Sequence, residues 1–212
     1  MRLTNRLRLC AAVLCTLGSL VAQPLELPPP QKSGGLPLMD ALAKRATARA
    51  FDPTELSRQE LSNVLWAAFG VNRPDGKRTA PSARDRQEAE IYVLLKQGVF
   101  LFDAAKHQLT QISTEDARAA GGMQPFVKDA PVTLVLAADL AKMGSASNDD
   151  KKTYAYIDAG YISQNVYLYC ASAGLATGVR AMVDRPALAA KLKLRADELI
   201  VVAQSIGRPA KP

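Results

Sequence analysis

Cysteine and histidine are nearly missing from this chain of 212 residues, which holds three cysteines and one histidine. Cys10 and Cys15 fall in a segment expected to be removed, and only Cys170 then remains. A lone cysteine excludes an intrachain disulfide and a cysteine-built metal site. His107 as the sole histidine argues against zinc ligation and against a Ser-His-Asp relay, so no metal is expected. A dominant charge is also missing. The formal charge is +7, and residues 1–22 supply three arginines and no acid, which leaves +4 for the rest. That modest basicity could favour an anionic ligand but lacks the concentrated basic face of a nucleic-acid binder. There is no internal repeat and no regular strand–helix–strand alternation, so an α+β fold is favoured over a doubly wound sheet.

What is present begins with a basic start, Arg2, Arg6 and Arg8, followed by an apolar run from Leu9 to Ala22. This pattern reads as a secretory signal. The run is short for a membrane helix, so no stable span is expected once the signal is cleaved; an uncleaved anchor is the alternative. Without an Arg-Arg pair, export as an unfolded chain is expected, to the periplasm or beyond, with any cofactor acquired there. The expected organisation is therefore a signal over 1–22, a flexible Pro/Gly-rich arm over 23–37, and one domain over 38–212, long enough to bury a substantial core.

Within the domain a short helix is expected over 37–45. Ser57-Arg58-Gln59-Glu60 reads as a capping box, with Leu56 and Leu61 as a hydrophobic staple, and Leu61, Val64, Leu65 and Ala68 recur at helical spacing up to Gly70. Trp66 lies off that stripe, facing a second surface, a ligand or a partner. A strand is expected over 90–96, then a hairpin from 99–102 to 109–112 with His107 as a solvated turn residue. Continuous apolar runs at 131–138 and 199–203 read as strands buried on both faces. A long helix over 153–173, with Cys170 in the core, and a last helix opened by Asp184 and Pro186 complete the pattern.

Arg45, Thr47 and Arg49 alternate with Ala46, Ala48 and Ala50. In an extended chain that spacing puts two guanidiniums and a hydroxyl on one side and three methyls on the other, a face suited to phosphate. A helix with solvated arginines at i and i+4 is the other reading.

The order of four segments resembles the FMN-dependent nitroreductase family. They are Lys44 to Asp52; Arg78-Thr79-Ala80-Pro81-Ser82-Ala83 before a strand; Asp158 to Asn165 on the long helix; and the loop Gly174 to Gly178. The hairpin around Gly98 to Phe102 and the Arg-Thr-Ala-Pro-Ser-Ala wording are most similar to the branch containing the peptide azoline oxidases. The resemblance implies an α+β sandwich, a mixed and mostly antiparallel sheet flanked by helices, and a homodimer with FMN at its interface. It implies that Arg45, Thr47 and Arg49 hold the FMN phosphate and ribityl chain. Pro81, Ser82 and Ala83 would pass along the flavin, the backbone of Ala181 and Met182 would face its reactive edge, and Arg208, or else Lys211, would add a phosphate contact.

An ordinary turn at Ser82, core filling by Met182 and a solvated Arg208 are the plainer alternatives. The implied activity is two-electron transfer through flavin from an unidentified donor to a small-molecule acceptor such as a nitroaromatic or quinone. A flavin oxidase or dehydrogenase of an organic substrate, or a non-catalytic flavin binder, is the alternative. The charged run Arg84-Asp85-Arg86-Gln87-Glu88 departs from the favoured branch and alters the substrate side of the pocket.

Overall fold

The computed structural model describes residues 24–211, so the expected signal over 1–22 lies outside the described residues. The chain runs β1 (Leu25–Glu26), α1 (Leu38–Lys44), β2 (Phe51–Asp52), α2 (Arg58–Phe69), β3 (Ala89–Leu95), β4 (Gly98–Asp103), β5 (Gln108–Ser113), β6 (Val132–Asp139), α3 (Asn148–Ala173), β7 (Ala176–Arg180), α4 (Arg185–Leu192) and β8 (Glu198–Pro209). The strands form one sheet in the order β1-β5-β4-β3-β6-β8-β2, with β7 also paired to β8. Every pairing among the described residues is antiparallel, which corrects the expectation of a mixed sheet. The hairpin-rich connectivity accounts for this, because parallel neighbours require long crossovers.

The apolar run of β6 is explained by burial on both faces. Val132, Leu134, Leu136 and Ala138 join the core beneath α2 and α3, while Val135 and Ala137 join a second core closed by Leu188 and Leu192 of α4. Each fully buried aliphatic side chain here, such as Leu65, Ile162 or Leu188, stabilises the fold by about 1.5–3 kcal/mol.

The capping box of α2 is formed in both directions, with Glu60 N donating to Ser57 Oγ at 3.2 Å and Ser57 N to Glu60 Oε2 at 2.7 Å. Gly70 ends the helix in extended backbone rather than a left-handed cap. Glycine is required there because a Cβ would lie 2.4 Å from Trp66 Cδ1. Helix α3 starts five residues earlier than expected because Ser147 caps it, accepting from Asp150 N at 3.1 Å, and Asp149 and Asp150 suit the positive helix end. Those polar residues carry no apolar period, so the first turn was hidden. The stretch expected as a loop over 174–178 is largely β7. Its Ala-Thr-Gly-Val-Arg sequence is a weak strand former, and pairing with β8 over Ala176–Arg180 overrides that local preference.

The arm docks on the domain. β1 pairs with β5, Leu27 is buried, Ser62 Oγ donates to the Pro28 carbonyl at 2.6 Å, Gln31 N donates to Asn63 Oδ1 at 2.8 Å, and Leu36 N donates to Ser172 Oγ at 2.7 Å. His107, expected as a solvated turn residue, is half-buried beside this clasp with Nε2 2.7 Å from Ser62 Oγ. Trp66 is likewise engaged within the chain, its Nε1 donating to the Val71 carbonyl at 3.1 Å.

Candidate functional site

Residues 45–50 leave α1 in irregular backbone, which excludes the helical reading. Arg45 caps α1 at φ −55°, ψ 120°, and the stretch is anchored to β7 where Ala48 N donates to the Thr177 carbonyl at 2.9 Å. The expected layer of three packed methyls does not form: Ala46 and Ala50 are exposed and only Ala48 is half-buried. One anchoring bond to a neighbouring strand does not impose a full ladder, so strict alternation of faces is lost.

The polar side is organised by a residue that the sequence did not single out. Tyr167 of α3 is buried, its hydroxyl lies 3.0 Å from Thr47 Oγ1 and accepts from Val179 N at 3.0 Å, and the Arg45 guanidinium lies 5.5 Å from its ring centroid. Arg45 and Arg49 are exposed, and among the described residues neither has a carboxylate within ion-pair distance. Gly178 makes the close approach possible, since a Cβ there would lie 2.4 Å from the Ala48 carbonyl oxygen. Beside Tyr167 a cavity of about 270 Å³ opens between α3 and the β7/β8 edge, lined by Tyr156, Ser163, Gln164, Val179 and Val201 among others.

The loop Pro81-Ser82-Ala83 sits further back along α3. Ala83 N donates to Asp158 Oδ2 at 2.9 Å, and Asp158 precedes Tyr167 by nine residues, a rise of roughly 13 Å. Ser82 Oγ accepts from Gln87 N at 2.8 Å and donates to Glu88 Oε2 at 3.0 Å. Thus Ser82 is more than an ordinary turn residue, and its hydroxyl is spent within the loop. Arg84, Asp85 and Gln87 all adopt positive φ, of 55°, 54° and 48°, an unfavourable state for residues with a Cβ. Pro81 and Ser82 line a separate cavity of about 200 Å³ with Arg73, Lys77 and Arg78. The structure therefore brings Arg45 and Thr47 together through Tyr167, and places the Pro81–Ala83 loop at another point on the same helix.

Ala181 and Met182 follow β7 and are exposed, Met182 by 59%, which removes core filling as its role. The Met182 carbonyl accepts from Met123 N at 3.3 Å, whereas its own N–H has no acceptor among the described residues. The turn is backed by Arg180, buried to 7% exposure, whose Nε donates to the Gly121 carbonyl at 2.7 Å and whose Nη1 donates to Ser205 Oγ at 2.9 Å. Burial without a carboxylate partner pulls its pKa down to about 10. Its only signal in the sequence was a charge inside an otherwise small, apolar stretch.

Arg208 departs from expectation. Its Nη2 donates to both carboxylate oxygens of Glu60, at 2.9 and 2.8 Å, and its Nη1 donates to the Glu55 carbonyl at 2.9 Å. The carboxylate it meets is already held by the capping box, so Arg208 joins β8 to α2. Lys211 is exposed at the end of the described chain.

An antiparallel α+β scaffold carries this arginine–threonine–arginine edge, and comparison with known proteins shows the class to which it belongs. Residues 42–208 match the model of the Nitroreductase family, and the chain belongs to that family of oxidoreductases. A nitroreductase-named protein of Methanocaldococcus jannaschii is 33% identical over 150 residues, spanning 66% of this chain and 76% of that one. A nitroreductase-named structure from Ralstonia eutropha JMP134 is 39% identical with a TM-score of 0.85, covering 89% of this chain and 90% of that one. A structure from Staphylococcus epidermidis described as an NAD(P)H:FMN oxidoreductase shares the fold at 16% identity, with a TM-score of 0.65 over 86% of this chain and 92% of that one. The family typically binds FMN.

Proposed function

We propose that this protein is an exported, homodimeric FMN-dependent oxidoreductase whose flavin phosphate and ribityl chain lie on Arg45, Thr47 and Arg49. The observation that carries this reading is the Arg45 guanidinium over the Tyr167 ring whose hydroxyl fixes Thr47, with the exposed Arg49 two residues further on and neither arginine having a carboxylate partner among the described residues, on a nitroreductase-family chain. These residues fit the group: two permanent cations neutralise a phosphate, and the Tyr167 hydroxyl fixes Thr47 without consuming either arginine. Bound FMN would supply hydride transfer in two halves, from a donor and then to an acceptor such as a nitroaromatic or a quinone.

The remaining work falls to the chain itself. The Met182 N–H is the donor available to the flavin's reactive edge, and Arg180 holds the backbone that presents it. The loop Pro81–Ala83 borders the flavin from its anchor on Asp158. Homodimerisation is supported by exposed apolar side chains on two helices, Leu38, Met39 and Leu42 of α1 with Tyr156, Ile157 and Tyr161 of α3. Export is supported by the basic-then-apolar pattern of residues 1–22. Kinship with the azoline oxidase branch rests on the hairpin around Gly98 to Phe102 and the wording of Arg78 to Ala83, and the divergent run from Arg84 to Glu88 keeps that branch's substrate out of the proposal.

The test is the visible spectrum of the protein produced without residues 1–22, mixed with FMN and separated by gel filtration. Flavin bands co-eluting with the protein, and their bleaching by a donor and return with an acceptor, are expected. A colourless protein whose melting temperature does not respond to FMN would contradict the proposal.

A further inference from the structure

Arg180 is the only lysine or arginine that is buried among the described residues, and the chain surrounds it with neutral groups. Its Nε donates to the Gly121 carbonyl at 2.7 Å, and its Nη1 donates to Ser205 Oγ at 2.9 Å and to the Gly178 carbonyl at 3.4 Å. Its Nη2 is buried without a partner among the described residues, and the guanidinium lies 6.0 Å from the centre of the Phe126 ring. The polar groups linked to it carry no charge either: Thr133 Oγ1 lies 3.3 Å from Ser205 Oγ, and Thr177 Oγ1 donates to the Ser205 carbonyl at 2.8 Å. Among the described residues no carboxylate lies within ion-pair distance of Arg180. A buried arginine is ordinarily paired, because a charge without a counter-charge is costly in a poorly polarisable interior. Here the fold keeps the charge and leaves out the counter-charge.

That charge stands behind the turn at Ala181 and Met182. The segment from Gly121 to Met123 is tied to the turn at both ends, by Arg180 Nε at the Gly121 carbonyl and by the Met123 N–H donating to the Met182 carbonyl at 3.3 Å. Gly122 permits the closure, since a Cβ there would collide with Arg180 Nε. Covalent geometry alone keeps the guanidinium within roughly 12 Å of the Met182 N–H. Across that distance, at an effective dielectric of about 20, one unit charge shifts an equilibrium involving another by roughly tenfold. Burial keeps salt from screening it.

We propose that Arg180 is a positioning residue that, through the Ala181–Met182 turn, sets an uncompensated positive charge behind the flavin's reactive edge and so favours the reduced flavin over the oxidised one. The proposal rests on the function proposed above. A hydride brings two electrons and one proton, so the bound ring gains one negative charge while the donor is oxidised by two electrons. A cation fixed in advance stabilises the charged product more than the neutral starting ring. Burial lowers the Arg180 pKa only to about 10, so the side chain stays charged at neutral pH.

The readout is the midpoint potential of the bound flavin relative to free FMN, which gives the ratio of affinities for the reduced and oxidised forms. That ratio cancels any attraction of the phosphate, which is common to both. Two variants remove the net charge by different routes. Arg180→Met deletes it, and Ser205→Asp sets a carboxylate beside Nη1, with Ser205→Asn as a neutral control of the same size. Arg180→Met and Ser205→Asp are each expected to lower the ratio roughly tenfold, a potential about 30 mV more negative for a two-electron couple, while Ser205→Asn keeps the wild-type value. Equal ratios in all four proteins would overturn the proposal. A fall in Ser205→Asn as large as in Ser205→Asp would assign the effect to packing and overturn it too. If Arg180→Met does not fold, the two Ser205 variants decide. A wild type that binds no FMN takes the functional reading and the proposal down together, whereas a wild type that binds FMN with an unmoved ratio in the charge-removing variants removes the proposal alone.

Discussion

Arg208 and Arg49 lie near the two ends of the domain's sequence, and both resembled phosphate ligands. The structure treats them oppositely. Arg208 reaches a carboxylate that is already fixed by the capping box of α2, and it spends its donors there. Arg49 lies in a stretch whose neighbouring polar groups, Thr47 and Tyr167, bond one another, and among the described residues its guanidinium has no carboxylate within ion-pair distance. A cation neutralised by its own chain stabilises the fold, and one that the chain leaves alone is available to a ligand. The same contrast separates the clasped arm, which Ser62, Asn63 and Ser172 receive, from the Tyr167 edge.

The largest test of this contrast is Arg49→Ala. It is expected to weaken FMN binding by about 1.5–3 kcal/mol while leaving the flavin-free melting temperature in place, as measured by fluorescence titration and thermal melting. Unchanged affinity in a folded variant would remove Arg49 from the site. Tyr167→Phe should come next, at about 1–2 kcal/mol of stability in denaturant, because Thr47 and the Val179 amide both lose the hydroxyl. Arg208→Ala should reverse the pattern of Arg49→Ala. The pair with Glu60 is partly exposed and screened, so about 1 kcal/mol or less of stability is expected to go while FMN affinity stays the same.

The smallest effect concerns His107 in the arm clasp. Burial, followed by the charge of Lys32, lowers its pKa from the ordinary 6.5, so the folded state favours the neutral ring. Its contribution is complete above that value and declines as pH falls through the lowered one. Replacing His107 with Gln should flatten this acid-side slope in melting curves, and an unchanged slope would place the titration elsewhere.

Sequence pattern made much of the scaffold legible because its signals were local. Ser57 to Glu60 marked the start of α2, Asp184 and Pro186 marked α4, and the apolar runs at β6 and β8 marked strands covered on both faces. What stayed hidden depends on contacts distant in sequence. β7 is a strand because β8 pairs with it, and the arm is ordered because Ser62, Asn63 and Ser172 receive it. At the site, Arg45, Thr47 and Arg49 could be singled out by their alternation. Tyr167 looked like one more helix residue, and nothing before folding shows that Glu60 claims Arg208. Glu88 read only as part of a charged run on the substrate side, whereas its carboxyl is buried and accepts from Ser82.

The most direct measurement is a crystal structure of the protein with FMN bound. The account predicts the phosphate between the Arg45 and Arg49 guanidiniums, the Thr47 hydroxyl still held by Tyr167, and Arg208 still paired with Glu60. A phosphate on Arg208 with Glu60 released, or a flavin that leaves Arg45 and Arg49 untouched, would contradict it.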